Sequence, residues 1–362
     1  MKAIIPPQFY CSKEIFDSEN LYIFEKCWNY IGNLSDFKNT NDFISLSIAG
    51  IPIVVQNVKG TIKAFKNICS HRHSLLQTEA FGNRQLMCPY HGWSYNENGI
   101  PKGIPKKPLF DFSEGDLECL KLKQYKIEYC GNFVFINLSD SSDSLYEYLG
   151  SGFFAEIEKI SNSLGEQVDY NEMKIQANWK ILVENTLESY HVNLIHTNSF
   201  MRLGANGLNF QFFNNHSVWN ANLKLSENEG VQEKIHRPFQ NRPFKIGGYK
   251  HILVFPNLLI STTYGISFNI SLISPLNESN SIFKSFVFLT ASENESNSNS
   301  AIKNMYRDSL IDFNRNVFNE DKEICEKVQF GVNHSHFTGE LSDEEERVCE
   351  FQKAYNQYIS QH

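Results

Sequence analysis

Apolar residues recur along the chain with two different periods. From 9 to 31, Phe16, Leu21, Phe24 and Trp28 fall at helical spacing among charged neighbours until Gly32 and Asn33 interrupt them, which predicts one N-terminal helix. From about 43 to 136 the pattern shortens to period-two runs, such as Ile51 to Val55, Thr61 to Phe65 and Asn132 to Asn137, punctuated by Gly and Asn. Such runs predict a small all-β module. Beyond 140, helical stretches at 154–164, 178–195 and 301–329 are mixed with strand-like alternation at 209–225 and 252–288, the pattern of an α+β domain. The segment ASENESNSNSA, 291–301, is polar and of low complexity and is expected to be a surface loop. No internal repeat is present.

Composition narrows the function classes. A chain of 362 residues, 41% hydrophobic, holds one large or two modest domains with their own cores. Its formal charge of -8 argues against a nucleic-acid partner, which calls for a basic face. No apolar run approaches the roughly 20 residues that span a bilayer, and MKAIIPPQFYCSKEIF carries no signal-peptide core, so the expected location is cytoplasmic, with no membrane partner. Eight cysteines without regular spacing do not form a disulfide framework; reduced thiols or metal ligands are the better reading.

Two cysteines stand beside histidines. The sequence C-S-H-R, then sixteen residues after His71, then C-P-Y-H place Cys69, His71, Cys88 and His91 in two short loops, each with one thiolate and one imidazole. A zinc finger keeps like ligands together, so zinc is the rival metal here rather than the first choice. In a Rieske centre two thiolates hold one iron and two neutral histidines the other, raising the potential above that of an all-cysteine cluster. Pro89 and Gly92 suit tight loops whose backbone N–H groups approach the sulfurs, and Trp93 and Tyr95 are expected to shield them.

A second constellation lies in NWKILVENTLESYHVNLIH, where Glu184, Glu188 and His191 share one face of a continuous helix. His196, five positions after His191, points away on an ideal helix; a common metal requires that helix to distort or end near Val192 to Leu194. Two histidines and one carboxylate form the facial triad of non-haem iron(II) oxygenases. The segment NEDKEICEKVQFG offers Asp321, with Ile324, Cys325 and Val328 at i+3, i+4 and i+7 defining an inward face; Asp312, Glu320 and Glu323 are further acids nearby.

The loops CSHRHSLL and CPYHGWSY, the stretch E-S-Y-H-x4-H after N-W-K, and E-D-x-x-I-C-E-x-V-Q-x-G from Glu320 to Gly331 resemble the Rieske non-haem iron oxygenases of the aromatic-ring-hydroxylating type, α subunit. The resemblance runs over nearly the whole chain. It implies a [2Fe-2S] cluster on Cys69, His71, Cys88 and His91, and one Fe(2+) on His191, His196 and Asp321. It implies an all-β Rieske domain (38–139) inserted into a helix-grip catalytic domain with a central antiparallel sheet (140–362), onto which an N-terminal helix (1–37) packs. Asn185 and Glu184 are candidates for groups behind the ligands or for purely structural roles. Glu188 holds the position of an acid that, in the family, links a Rieske histidine of one subunit to an iron-site histidine of its neighbour in a homotrimer, with or without a β subunit.

Two departures stand out. The family has Gly after the His-Arg pair where this chain has His73, which implies a changed loop contact and no additional ligand. Most ring-hydroxylating members have Asp where this chain has Glu188; Glu resembles the branch acting on carnitine and other quaternary ammonium compounds. Electrons are expected from NAD(P)H through a separate flavin-dependent reductase, in some members with a ferredoxin, since no G-x-G-x-x-G follows a strand here. Lys102, Lys106 and Lys107 are a candidate docking patch for it. The implied activity is that of a terminal mono- or dioxygenase that uses O2 to hydroxylate a small aromatic or heteroaromatic compound, with oxidation or N-dealkylation of a quaternary ammonium compound as the alternative. The region from Phe210 to Phe288 is expected to line its pocket. A Rieske electron-transfer protein needs only the first constellation, so the second argues against it.

Overall fold

A computed structural model describes residues 1–113, 115–140, 142–197, 199–223, 237–291 and 300–360. Within them the chain forms two compact units, Asn20–Tyr148 and Met1–Glu19 together with Leu149–His362, so one unit is inserted in the sequence of the other. The polar segment expected as a surface loop falls, from 292 to 299, outside the described residues.

The inserted unit is built on strands β1 (Asn29–Asn33), β2 (Asp42–Ile48), β3 (Ile51–Val58), β4 (Thr61–Lys66), β5 (Phe81–Asn83), β6 (Ser94–Tyr95), β7 (Pro101–Gly103), β8 (Gln124–Cys130) and β9 (Phe133–Asn137). Seven pair antiparallel in the order β1-β9-β8-β4-β3-β2-β5, and β6 and β7 form a separate hairpin. Their core gathers Phe43, Val54, Phe65, Leu76 and Trp93 around Cys69 and Cys88, so both thiols belong to the hydrophobic interior. The pattern read as a helix to residue 31 breaks earlier. A helix covers Lys13–Glu19, one wider turn follows to Phe24, and Asn29–Asn33 is β1, buried along its length against β9. Trp28 satisfied a helical spacing by chance, and pairing of the residues after it with the apolar β9 decided the matter.

The second unit carries a seven-stranded antiparallel sheet: β10 (Leu164–Ile175), β11 (Asn206–Phe213), β12 (His216–Asn222), β13 (Tyr249–Val254), β14 (Leu258–Thr263), β15 (Ser267–Asn277) and β16 (Asn280–Thr290), in the order β10-β16-β15-β14-β13-β12-β11. The helix Ser300–Val332 packs against β10 and the helix Trp179–Leu187. Helix and antiparallel sheet enclose the cavity of the site, the α+β architecture expected.

The sequence N-W-K that opens this region is an anchor. Asn178 caps the helix by accepting from the Lys180 amide (2.9 Å), Trp179 donates its indole N–H to Glu19 (2.8 Å), and Lys180 pairs with Glu19; Glu19 and Lys180 are fully buried. Tyr355 donates to the same carboxylate (2.7 Å), so the N-terminal segment, this helix and the last helix meet on one acid.

Candidate metal centres

In the inserted unit the two loops are the same turn built twice. In each, the cysteine amide donates to the carbonyl five residues on (Cys69 to Ser74 and Cys88 to Trp93, both 2.8 Å), and the amide four residues on returns to the cysteine carbonyl (His73 and Gly92, both 3.0 Å). The returning residue has a left-handed backbone, φ 73° at Gly92 and φ 61° at His73. Glycine adopts that conformation freely and histidine at a cost. The departure at His73 is therefore a backbone matter: the ring is exposed and off the ligand set.

The rings of His71 and His91 lie 4.7 Å apart edge to face, and Trp93 stacks on His71 at 4.8 Å. Tyr95 places its hydroxyl 3.1 Å from the Cys69 sulfur and 3.0 Å from the Ser70 amide. All eight cysteines are free thiols. Burial pushes the Cys69 thiol up, the direction that a bound cation reverses by holding the thiolate. His71 Nδ1 is buried with no hydrogen-bond partner. Two buried thiols, two facing imidazoles and an orphaned ring nitrogen fit an iron–sulfur cluster better than a packed core, which satisfies such atoms.

In the second unit the helix from Trp179 ends at Leu187. Glu188 is already extended (φ -124°, ψ 165°), so the break comes before the position predicted at Val192 to Leu194. The continuous face of Glu184, Glu188 and His191 is thereby corrected: Glu188 folds back, and its carboxylate accepts from the amides of Tyr190 and His191 and from His191 Nδ1. A single helical turn, Val192–Ile195, then separates the histidines. With breaks on both sides of it, residues five apart converge, His191 Nε2 lying 3.1 Å from His196 Nε2.

Asp321, on the long helix, brings Oδ1 to 3.0 Å from His196 Nε2 and 3.7 Å from His191 Nε2. Among the described residues these three form one group whose ligand atoms all lie within 4.8 Å of each other. Each imidazole is backed by an acid on its other nitrogen, His191 by Glu188 and His196 by Glu320 at 2.7 Å. A carboxylate accepting from Nδ1–H leaves the Nε2 lone pair aimed at the centre. Burial alone would lower the His196 pKa, and Asp321 and Glu320 more than offset it, so it is raised. Asn185 donates to Asp321 Oδ1 (2.8 Å) and fixes the third atom.

Glu320 was legible only as a rival acid. Adjacent positions on a helix diverge, yet Glu320 and Asp321 reach the two nitrogens of one ring, that of His196. The inward face also differs from the one expected: Cys325 and Gln329 are buried below Asp321, whereas Val328 is exposed. Glu184 lies away from this centre, accepting from Tyr10 (2.8 Å) and Gln352 (3.0 Å), with burial raising its carboxyl to about 7.

A cavity of about 140 Å³ opens on the three ligand atoms. Phe200, Tyr249 and Trp219 form a chain of edge-to-face contacts along it, and Phe268 and Phe283 from the sheet and Phe313 from the long helix add to its apolar lining. Phe210, the first residue of the region expected to line the pocket, packs against Trp219 and Tyr249 and is not on the cavity surface.

The sequence matches the Rieske [2Fe-2S] domain over residues 27–125 and the catalytic domain of the ring hydroxylating alpha subunit over 163–361, more than half of the chain. It belongs to the ring-hydroxylating alpha subunit family. Among the relatives of this family member, the 2-aminobenzenesulfonate 2,3-dioxygenase subunit alpha of Alcaligenes sp is 34% identical over 185 residues, 50% of this chain and 47% of that one. The glycine betaine monooxygenase oxygenase subunit of Chromohalobacter salexigens is 33% identical over 196 residues (53% and 43%), and the carnitine monooxygenase oxygenase subunit of Escherichia coli K12 is 31% identical over 202 (53% and 52%). The chain spans about half the length of the curated relatives it matches. In fold it is similar to the quaternary ammonium Rieske monooxygenase CntA in complex with L-carnitine (TM-score 0.78, 21% identity, 98% of this chain and 94% of that one). Naphthalene 1,2-dioxygenase from Rhodococcus sp. gives a TM-score of 0.74 at 19% identity, with 98% and 94% covered.

Proposed function

We propose that this chain is the terminal oxygenase component of a Rieske non-haem iron system. Cys69, His71, Cys88 and His91 hold the [2Fe-2S] cluster of an inserted Rieske domain, and His191, His196 and Asp321 hold one Fe(2+) in the catalytic domain. The observation that carries this reading is the meeting of His191 Nε2, His196 Nε2 and Asp321 Oδ1 at one point, with a separate carboxylate behind each imidazole. Such a donor set suits iron(II) and leaves positions open for substrate-side ligands. When bound, the cluster would supply electrons and the iron would supply oxygen activation.

The chain's own residues do the rest. Glu188 and Glu320 keep the Nδ1 protons of His191 and His196 and so hold both Nε2 atoms unprotonated toward the metal. Asn185 holds Asp321 in place, and the aromatic lining excludes water from the reacting face. The cavity size favours a small organic substrate. A ring compound is the first reading, and the Phe200, Tyr249 and Trp219 chain supports a quaternary ammonium compound as the second, since aromatic faces attract such cations.

The electron source is NAD(P)H through a separate flavin-dependent reductase, with or without a ferredoxin. Lys102, Lys106 and Lys107, all exposed, are its candidate docking patch. Assembly as a homotrimer, with or without a β subunit, lets Glu188 link His191 to a cluster histidine of a neighbouring copy, and the working location is the cytoplasm. Among the described residues no helix is long and apolar enough to cross a membrane. Anaerobic metal analysis with optical and EPR spectra tests the reading: it predicts two cluster irons and one mononuclear iron per chain. A colourless zinc protein, or a cluster without mononuclear iron, would overturn it.

A further inference from the structure

Beside the cavity, on the same face of the sheet as Trp219 and His251, lies a buried cation that no acid among the described residues neutralises. Arg347, in the last helix (Glu346–Ile359), has no solvent exposure, and among the described residues no carboxylate is within ion-pair distance of it. Its partners are the Ser217 hydroxyl (3.0 Å), the Ser217 carbonyl (3.4 Å) and His251 Nδ1 (3.1 Å). Burial lowers the guanidinium to about 9, which still leaves it charged at neutral pH. A buried charge of this kind is costly to keep without a counter-charge, and a hydrocarbon side chain would fill the space more cheaply.

His251 connects that charge to the cavity. A guanidinium has donors only, so His251 Nδ1 must accept, and the ring proton sits on Nε2. Burial and the neighbouring guanidinium hold the His251 pKa well below the usual imidazole value, so the ring is a neutral donor at neutral pH. His251 is 7% exposed and lines the cavity that opens on His191, His196 and Asp321. Across the sheet, Trp219 on β12, Ser261 on β14 and Asn269 on β15 stand in register with it and line the same cavity, which puts polar groups on this wall beside its aromatic side chains.

We propose that the substrate carries an oxyanion, a carboxylate or a sulfonate, that accepts the Nε2–H of His251, with Arg347 as the buried counter-charge behind the ring. This rests on reading the cavity as the substrate site of an oxygenase. The guanidinium polarises the imidazole N–H, and an arriving anion offsets a charge that no carboxylate among the described residues neutralises. Neutral compounds of the same shape leave it uncompensated and bind less tightly.

The test is calorimetric binding to the chain with both metal sites loaded, under nitrogen, with matched pairs: 2-aminobenzoate against 2-aminobenzamide, 2-aminobenzenesulfonate against its sulfonamide, and trimethylammonioacetate against its amide. In at least one pair the acid is expected to bind tenfold or more tighter than the partner that lacks the oxyanion. His251→Phe should reduce that advantage to within twofold, and His251→Gln, which keeps a donor, should restore part of it, with iron content unchanged. Equal binding of acid and amide in every pair, no binding by any acid, or an advantage that survives His251→Phe overturns the proposal. Should the variants not fold, the wild-type pairs alone decide. Oxygen uptake with the bound acid is read separately: tight acid binding without turnover counts against the oxygenase reading and leaves the anion site standing, while turnover of neutral compounds alone does the reverse.

Discussion

The two candidate metal centres are built by opposite strategies. In the inserted unit, each pair of candidate ligands sits inside one six-residue turn closed by its own backbone, and the turn is repeated nearly unchanged at Cys69 and Cys88. In the second unit the candidate ligands come from a broken helix and from a position 125 residues later, and side chains hold them: Glu188, Glu320 and Asn185. A local turn carries its geometry wherever it is placed. A site assembled from distant helices depends on the acids and amides behind it, so substitutions in the second unit should be the more damaging to metal binding.

The largest effect is expected at Asp321→Ala. Removing the only carboxylate of the triad should empty the mononuclear site and abolish turnover, while the Rieske EPR signal keeps its wild-type intensity. Full iron occupancy with activity would pass the role to Glu320, its neighbour. Glu188→Gln comes next. Both metal sites should load, yet a pre-reduced variant given substrate and oxygen should oxidise its cluster far more slowly than wild type, because an amide no longer anchors the His191 proton as a carboxylate does. Cluster oxidation at the wild-type rate would remove Glu188 from the electron path.

Glu320→Gln tests the same logic on the other ring. The acid behind His196 keeps its Nε2 free for metal, so the variant should bind mononuclear iron about 10–100-fold more weakly, as is usual when a partner behind a ligand is lost. Unchanged affinity in a chelator competition would mean that His196 is oriented by packing alone.

Glu184 sharpens the contrast in another way, since it is a titrating group that serves the scaffold of the second unit and no metal. Burial raises its carboxyl from an ordinary value of 4.5 to about 7. Between those values the folded chain keeps a proton that the unfolded chain releases. Stability from this group is therefore fully present below pH 4.5 and lost as pH rises through 7. At about 1.36 kcal/mol per pKa unit the full shift corresponds to roughly 3 kcal/mol, less here because Glu184 is partly open to a cleft. Glu184→Gln, which stays neutral, should flatten the fall in melting temperature between pH 5 and 7. An unchanged slope would assign that fall to other groups.

How much of this was legible follows the same division. The cluster loops could be read because spacing within a turn fixes geometry; His191 and His196 could be read as a pair, but not the break that joins them. The break depends on Glu188 capping the turn that follows it, and an acid amid helical periodicity looks like one more exposed position. Asp321 needed the resemblance, since nothing local separates it from Glu320 and Glu323. Asn185 could be read only as one of two candidates for a group behind the ligands, and Arg347 gave no signal at all, because both act through tertiary contacts made by residues far away in the chain. The misread helix over 29–31 has the same cause: β1 is a strand because β9 is beside it.

The smallest effect is expected at His73, where the two copies of the cluster turn differ. Both turns need a left-handed residue four positions after the cysteine; Gly92 supplies it in the second, and His73 is held at φ 61° in the first. Among the described residues the ring makes no hydrogen bond or ion pair that would explain the choice, being exposed and outside the candidate ligand set. A non-glycine residue in this region costs about 1–2 kcal/mol, and part of the relief on changing it is offset by the greater freedom of glycine in the unfolded chain. His73→Gly should therefore stabilise the cluster-bearing unit by about 1 kcal/mol, read as a higher denaturation midpoint of the Rieske visible absorption, with the EPR g values unchanged because the ligands are untouched. The reciprocal change tests the same turn: Gly92→Ala forces a side chain into the left-handed region, with its Cβ 3.2 Å from the ring of Pro105, and should destabilise by at least as much. A His73→Gly variant that loses the cluster, or shifts its EPR signal, would show that the histidine ring contributes to the centre and that the two turns are not equivalent.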